Sequence, residues 1–352
     1  MADSPAGHSP GLHLGHLNQD QVLHVRRWPA PDHEVRVHAY RLAVGGSAAN
    51  TAIVVARGHA PVVFVARVGA DPIAAWLRAQ LASLPALDLR GLQTDPRHPT
   101  GVVTVLVGPQ GERGLLTARG ANDHLQPPAA WPHPVAYLAL TSYLADTPTT
   151  AQTARAVMAR VLAQRPRPAV FLDLNASTPP EAYPEVRAWL TRLRAARPLV
   201  LTANAAAARR LLAAPATASP TTLLRGLQAH APVVVLKMGA QGAWLGRQGH
   251  APYRLPPLPV TVRDTTGAGD AFTAGLILGW RAGWDWPTAG HLAALLGALA
   301  TTVSGAGLAL PGPAQVAAYL QAHPTALPRP VQRTLHAWAA ARVPPPAAPS
   351  PV

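Results

Sequence analysis

The chain has 352 residues, 30 Lys plus Arg against 16 Asp plus Glu for a formal charge of +14, and no cysteine. Such a length buries a large core, while the missing cysteines exclude disulfides and thiolate metal sites, as expected of a protein of the reducing cytoplasm. The positive balance raises nucleic acid as a partner, but the arginines are scattered, Lys237 is the single lysine, and no basic run carries the interleaved aromatics of a strand-binding platform.

From the N-terminus, residues 1–10 read as a flexible segment with neither the basic n-region nor the apolar h-region of an export signal. One large α/β domain is expected over 11–323. Asn18 and Asp20 stand two apart, so at a strand end both project to one side, where they can grip hydroxyls. Val35–Val44 reads as a strand. The His33 and His38 pair is spaced one residue too far for a zinc-protease helix. Gly45 and Gly46 permit close approach and hinge-like backbone angles before a helix that Ser47 caps and that carries Asn50. Ala49 stands where a nucleophile elbow needs its final glycine.

Pro61–Val68 is the next strand, and Asp71-Pro72 caps a helix to about Leu81. Gly101–Val107 and Gly114–Ala118 pair across Gly108-Pro109-Gln110-Gly111 without a crossover helix, so residues 35–44 and 101–119 are expected to form a separate small sheet. Val135–Thr141, Ala169–Leu174, Leu199–Thr202 and Pro232–Met238 are strands, and a helix runs from Thr147-Pro148 to about Gln164. That alternation implies a mainly parallel sheet covered by helices on both faces. Lys237 is followed by Met238, which excludes a P-loop. Gly239 and Gly242 read either as a hairpin turn into Trp244 or as a phosphate-approach loop.

Pro259–Val262 is strand-like and precedes Asp264-Thr265-Thr266-Gly267-Ala268-Gly269-Asp270. The backbone of Gly267, Ala268 and Gly269 falls at the N-terminus of a helix over Ala271–Trp280, where N–H groups and the macrodipole favour an anion. Asp270 sits in the first turn, placed to take a proton from a hydroxyl. The uncharged run from Pro287 to Pro324 has the length of a membrane span, but His291, Thr301, Thr302, Ser304 and the Gly305-Ala306-Gly307 break divide it into two buried helices, so no membrane partner is expected. Residues 324–352 read as a Pro/Ala-rich, loosely attached tail with Trp338 on a short docking helix.

The string over 264–272 matches every position of D-T-T-G-A-G-D-x-F, and Asn18-x-Asp20 with Gly45-Gly46-x-x-x-Asn50 matches an N-terminal pair in order and spacing. These motifs resemble those of the ribokinase-like sugar and nucleoside kinases, the phosphofructokinase B type. The resemblance implies a three-layer α/β/α fold with a small β-sheet lid, and ATP-dependent phosphorylation of a sugar hydroxyl. It makes Asp270 the base, Gly267, Ala268 and Gly269 the anion hole, and Asn18, Asp20, Gly45, Gly46 and Asn50 the acceptor site. Asn204, Lys237, Gly239 and Gly242 fall on the ATP side. Asp173 would hold Mg2+ through water, Asp264 and Thr266 a monovalent cation such as K+, and lids would pair in a homodimer. One position departs from the pattern: Ala207 replaces the acid of the family's N-x-x-E. A nucleoside kinase of the same family is an alternative reading, and that loss adds a catalytically weak sugar or nucleotide sensor as another. Ribose, fructose, a keto-deoxy sugar acid and a nucleoside stay open as acceptors; Arg113 or Arg119 would serve a phosphate-bearing one, or be exposed strand arginines.

Overall fold

Strict alternation along the strands sets the layering. In Val62-Val63-Phe64-Val65, the first and third side chains join one buried cluster and the second and fourth join another, as period-2 geometry requires of a strand covered on both faces. The computed structural model describes residues 9–110, 112–131, 134–196 and 198–343. The first half runs β1 (Gly11–Leu14), β2 (Asn18–Val25), β3 (Val37–Gly45), α1 (Ser47–Arg57), β4 (Val62–Gly69), α2 (Pro72–Leu81), β5 (Leu87–Asp88), β6 (Leu92–Asp95), β7 (Gly101–Val107), β8 (Arg113–Ala118), β9 (Tyr137–Thr141) and α3 (Pro148–Leu162). The second half runs β10 (Ala169–Leu174), α4 (Tyr183–Leu193), β11 (Leu199–Asn204), α5 (Ala205–Leu212), α6 (Pro220–Gln228), β12 (Val233–Lys237), β13 (Ala243–Arg247), β14 (Tyr253–Leu255), α7 (Ala268–Arg281), α8 (Trp286–Ala300), α9 (Pro313–Ala322) and α10 (Arg329–Ala340).

The large sheet has the order β14-β13-β12-β11-β10-β9-β1-β4-β5, with β6 also on β4; it is parallel from β12 to β5, and β13 and β14 are antiparallel. Helices α1, α2 and α7 to α10 cover one face, and α3 to α6 the other. The small sheet, β3-β2-β7-β8, stands apart as the lid. Asp71 and Thr147 cap α2 and α3 with proline in the first turn, as their sequences imply. No helix among the described residues is long and apolar enough to cross a membrane; the uncharged run divides into α8 and α9.

Four expectations change. Asn18 and Asp20 open β2 of the lid instead of ending a strand of the large sheet. Pro259–Val262 is irregular and joins no ladder among the described residues; the Pro259 carbonyl accepts from the Tyr319 hydroxyl instead. Ser47 is the first residue of α1, with Gly46 at the cap, so its hydroxyl is turned elsewhere. The C-terminal segment is packed through α10, which buries Val331, Leu335, Trp338 and Ala339 in the main core. Residues 1–8 and 344–352, parts of the expected flexible ends, lie outside the described residues.

Candidate active site

The carboxyl ends of the parallel strands and the mouth of α7 converge below the lid. Gly267 caps α7 with φ 76°, a left-handed conformation that suits glycine, and an added Cβ there would meet Leu310 at 2.9 Å. The Ala268 N–H turns back to the Thr265 carbonyl at 3.3 Å, so of the three expected donors it is the one already engaged. Asp270 is buried in the first turn of α7. Its Oδ1 accepts from the Ser47 hydroxyl at 2.5 Å and its Oδ2 from Asn50 Nδ2 at 2.7 Å. Each carboxylate oxygen keeps a lone pair for a further proton donor.

Burial pushes the Asp270 carboxyl up to about 6, against the lowering effect of the Ser47 and Asn50 hydrogen bonds; the Asp173 charge raises it further and Lys237 opposes. A base titrating there is ionised at neutral pH and still accepts a proton readily. Asp20 is buried opposite, pushed up to about 7 by desolvation and then by the Asp270 charge, with Arg41 pulling it down. Its Oδ1 is buried without a partner among the described residues, a vacancy a substrate hydroxyl would satisfy. Gly45 is needed beside it, since a Cβ there would fall 2.0 Å from that oxygen. A Cβ on Gly46 would strike the His16 carbonyl at 2.3 Å. Asn18 Oδ1 accepts from Asn122 Nδ2 at 2.8 Å, and Asn50 Oδ1 accepts from Gly307 N at 3.0 Å. Asn50 thus braces the base and the loop after α8.

On the other side, Lys237 Nζ pairs with Asp173 Oδ1 at 2.7 Å and reaches the Gly269 carbonyl at 3.4 Å. Thr202 donates to the same Asp173 oxygen at 2.5 Å. Lys237 and Asp173 are therefore brought to the anion turn. Asn204 is the N-cap of α5, accepting from Ala207 N at 2.8 Å, and Ala207 is fully buried among apolar neighbours. Gly239 and Gly242 both have positive φ in the β12–β13 connection, and nothing stands within 4 Å of a Cβ on Gly239. The hairpin reading of that turn holds, and its surface at Gly239 is open. Among the described residues no group of three or more His, Asp or Glu could hold a metal ion. Asp173 is the expected magnesium residue, and its Oδ1 is already shared by Lys237 and Thr202, so an ion there would rest chiefly on nucleotide phosphates and water.

Asp264 and Thr266 do not fit a monovalent cation as arranged here. Asp264 Oδ1 accepts from Thr266 N at 2.9 Å, Thr266 Oγ1 at 2.7 Å and Arg113 Nη1 at 2.8 Å, while Oδ2 accepts from Gly305 N at 2.6 Å. The seat is filled by protein donors. Arg113 is thereby committed, and Arg119 is paired with Asp146, so neither stands free for a substrate phosphate.

Ser47, Asn122 and Tyr143 are site residues that sequence reasoning missed. Tyr143 follows β9 with its ring stacked on His16 at 6.3 Å between centroids and Arg119 lying 5.9 Å over it. Burial raises its phenol against a hydrogen bond with Ser177, and the charges of Asp270, Asp173 and Asp146 raise it further. Asn122 was hidden in Gly120-Ala121-Asn122-Asp123, a string that reads as a turn.

The model of the pfkB family of carbohydrate kinases matches residues 12–313. The chain belongs to the pfkB family. Among its pfkB relatives, an ATP-dependent ribose-1-phosphate kinase of Halopiger xanaduensis is 31% identical over 315 residues, 88% of this chain and 97% of that protein. A fructokinase of Klebsiella pneumoniae is 31% identical over 286 residues, 76% of this chain and 88% of that one. A putative ribokinase II of E. coli, solved with ATP and Mg2+, superposes with a TM-score of 0.77 at 19% identity, covering 90% of this chain and all of that one. The fold is thus ribokinase-like, and the pfkB chain is a phosphotransferase of the sugar and nucleoside kinase class.

Proposed function

We propose that this pfkB protein phosphorylates a sugar hydroxyl with ATP, using Asp270 as general base. The observation that carries the reading is the buried Asp270 carboxylate at the mouth of α7, fixed by Ser47 and Asn50 and facing the unpartnered Asp20. The acceptor hydroxyl gives its proton to Asp270 as its oxygen bonds to the γ-phosphorus. The bond from that phosphorus to the β–γ bridging oxygen breaks, and ADP leaves with the bridging oxygen. The free N–H groups of the 267–269 turn, together with Lys237, bear on the phosphoryl charge; each such donor lowers the barrier by about 3 kcal/mol. Asn18, Asp20 and the backbone at Gly45-Gly46 orient the acceptor. Mg2+ entering with ATP would neutralise phosphate charge, with Asp173 on its side of the cleft.

The lid excludes water that would otherwise accept the phosphoryl group. Its edge strands expose Tyr40, Leu42, Leu115 and Leu116, an apolar set suited to pairing with a second lid in a homodimer. ADP release measured across ribose, fructose, ribose 1-phosphate, keto-deoxy sugar acids and nucleosides tests the reading. Turnover with one sugar supports it, and turnover with nucleosides alone replaces it. Sugar-dependent thermal stabilisation without ADP release would make the protein a sensor.

A further inference from the structure

Arg41 and Arg113 belong to β3 and β8, the opposite edges of the lid sheet, yet both reach one loop of the main domain. Arg113 Nη1 bonds Asp264 Oδ1 at 2.8 Å and Thr266 Oγ1, while its Nη2 bonds Thr265 Oγ1 at 2.8 Å. Arg41 Nη1 donates to the Ser304 carbonyl, and Nη2 lies 3.9 Å from Asp264 Oδ2. Gly305, with φ 77°, makes the left-handed turn that brings its N–H to Asp264 beside Arg41. A Cβ there would fall 2.2 Å from Arg41 Nη2.

The charge needs an owner. Asp264 stands three residues before the cap of α7, so its carboxylate opposes any anion approaching the helix mouth unless a cation offsets it. The loops beside it offer little to a free ion, because both Asp264 oxygens already hold protein donors, Arg41 takes the Ser304 carbonyl, and the Thr301 and Thr302 hydroxyls are turned back onto α8. Planar guanidinium groups suit this task, since each satisfies several oxygens in a fixed fork.

We infer that Arg41 and Arg113 are the resident cations of the Asp264 loop, delivered by the lid, so that lid closure completes the electrostatics of the anion turn without a monovalent metal ion. They act through Asp264 and are positioning residues. The inference rests on the kinase reading for its consequence but not for its test.

The test compares KCl with choline chloride at equal ionic strength in two readouts: ADP release with the best acceptor, and thermal unfolding with a non-hydrolysable ATP analogue. The unaltered protein changes by less than about twofold between the salts, because its cation is covalently attached. Arg113→Ala loses about 10- to 100-fold in rate and recovers part of it in KCl alone, with a K+-dependent rise in melting temperature. Arg113→Lys keeps the charge but not the fork, so it retains more of the rate than Arg113→Ala and responds less to K+. Tenfold or greater K+ activation of the unaltered protein overturns the inference, as does K+ indifference of Arg113→Ala in both readouts. If no acceptor is phosphorylated, the kinase reading fails while the melting temperatures still decide the cation question.

Discussion

Replacing Asp270 with Asn should remove activity and stabilise the protein. An aspartate titrating near 6 instead of near 3.8 prefers its neutral form in the folded state. Its contribution to stability is therefore present at low pH and lost as pH rises through about 6, the reverse of a carboxylate in a salt bridge. The gap corresponds to about 3 kcal/mol carried by the ionised group above pH 7. Asn is neutral, so Asp270→Asn escapes that cost, and its geometry fits: the amide oxygen accepts from Asn50, and the amide nitrogen donates to the Ser47 hydroxyl, which can act either way. Weakening of two charge-assisted bonds offsets part of the gain, leaving about 2 kcal/mol, or roughly 3 °C in melting temperature for a chain of this length. The assay is thermal unfolding from pH 5 to 8.5 beside ADP release. The variant should melt higher at pH 8, lose that advantage as pH falls towards 4, and turn over about 10²- to 10⁴-fold more slowly while still binding ATP. Equal stability at pH 8, or an advantage that does not shrink on acidification, would refute burial as the cause of the shifted acid.

Other outcomes follow from the same geometry. Ser47→Ala removes a hydrogen bond that lowers the Asp270 carboxyl, so the acid limb of the pH–rate profile, expected near pH 6, should move upward; an unmoved or lowered limb counts against the contact. Lys237→Gln leaves Asp173 buried with its ion-pair partner gone, which should cost about 3 kcal/mol in a urea titration and raise the KM for ATP. Deleting residues 324–352 uncovers the core beneath Leu327, Leu335 and Trp338. That deletion should cost about 5 kcal/mol or more, whereas a melting temperature within a degree or two of the full chain would show the segment to be dispensable.

What could be read from the residues alone follows the range of the interactions. Residues 264–270 were legible because a turn, a helix mouth and an acid lie within one short string. The central strands were legible through buried apolar runs such as Val233-Val234-Val235-Leu236. Asn18 and Asp20 were visible as a pair, but Gln19, Gln21 and His24 disguise the strand that follows them. Arg41 and Arg113 gave no signal of their role, since their partner lies 223 and 151 residues away in sequence. In α10, Val331, Leu335 and Trp338 fall on one helical face, yet the flanking Pro and Ala composition resembles an unstructured tail. Ala207 was read as a missing acid; its full burial within the apolar cluster under α3 to α6 gives the position a packing role that no local pattern announces.

Helix α7 carries Gly275 and Gly279 on the side that meets α8, where added Cβ atoms would fall 2.4 Å from the Ala293 backbone and 2.5 Å from the Ala289 side chain. The two helices therefore meet almost main chain to main chain, and Asp270 through Trp280 are all buried. Such an element opens only when the whole domain does. Its amides should be among the last to exchange with deuterium, with those of the lid strands far ahead of them. Heating or cooling the enzyme would then change how often the acceptor side is assembled, while leaving the geometry of the base untouched up to the melting point.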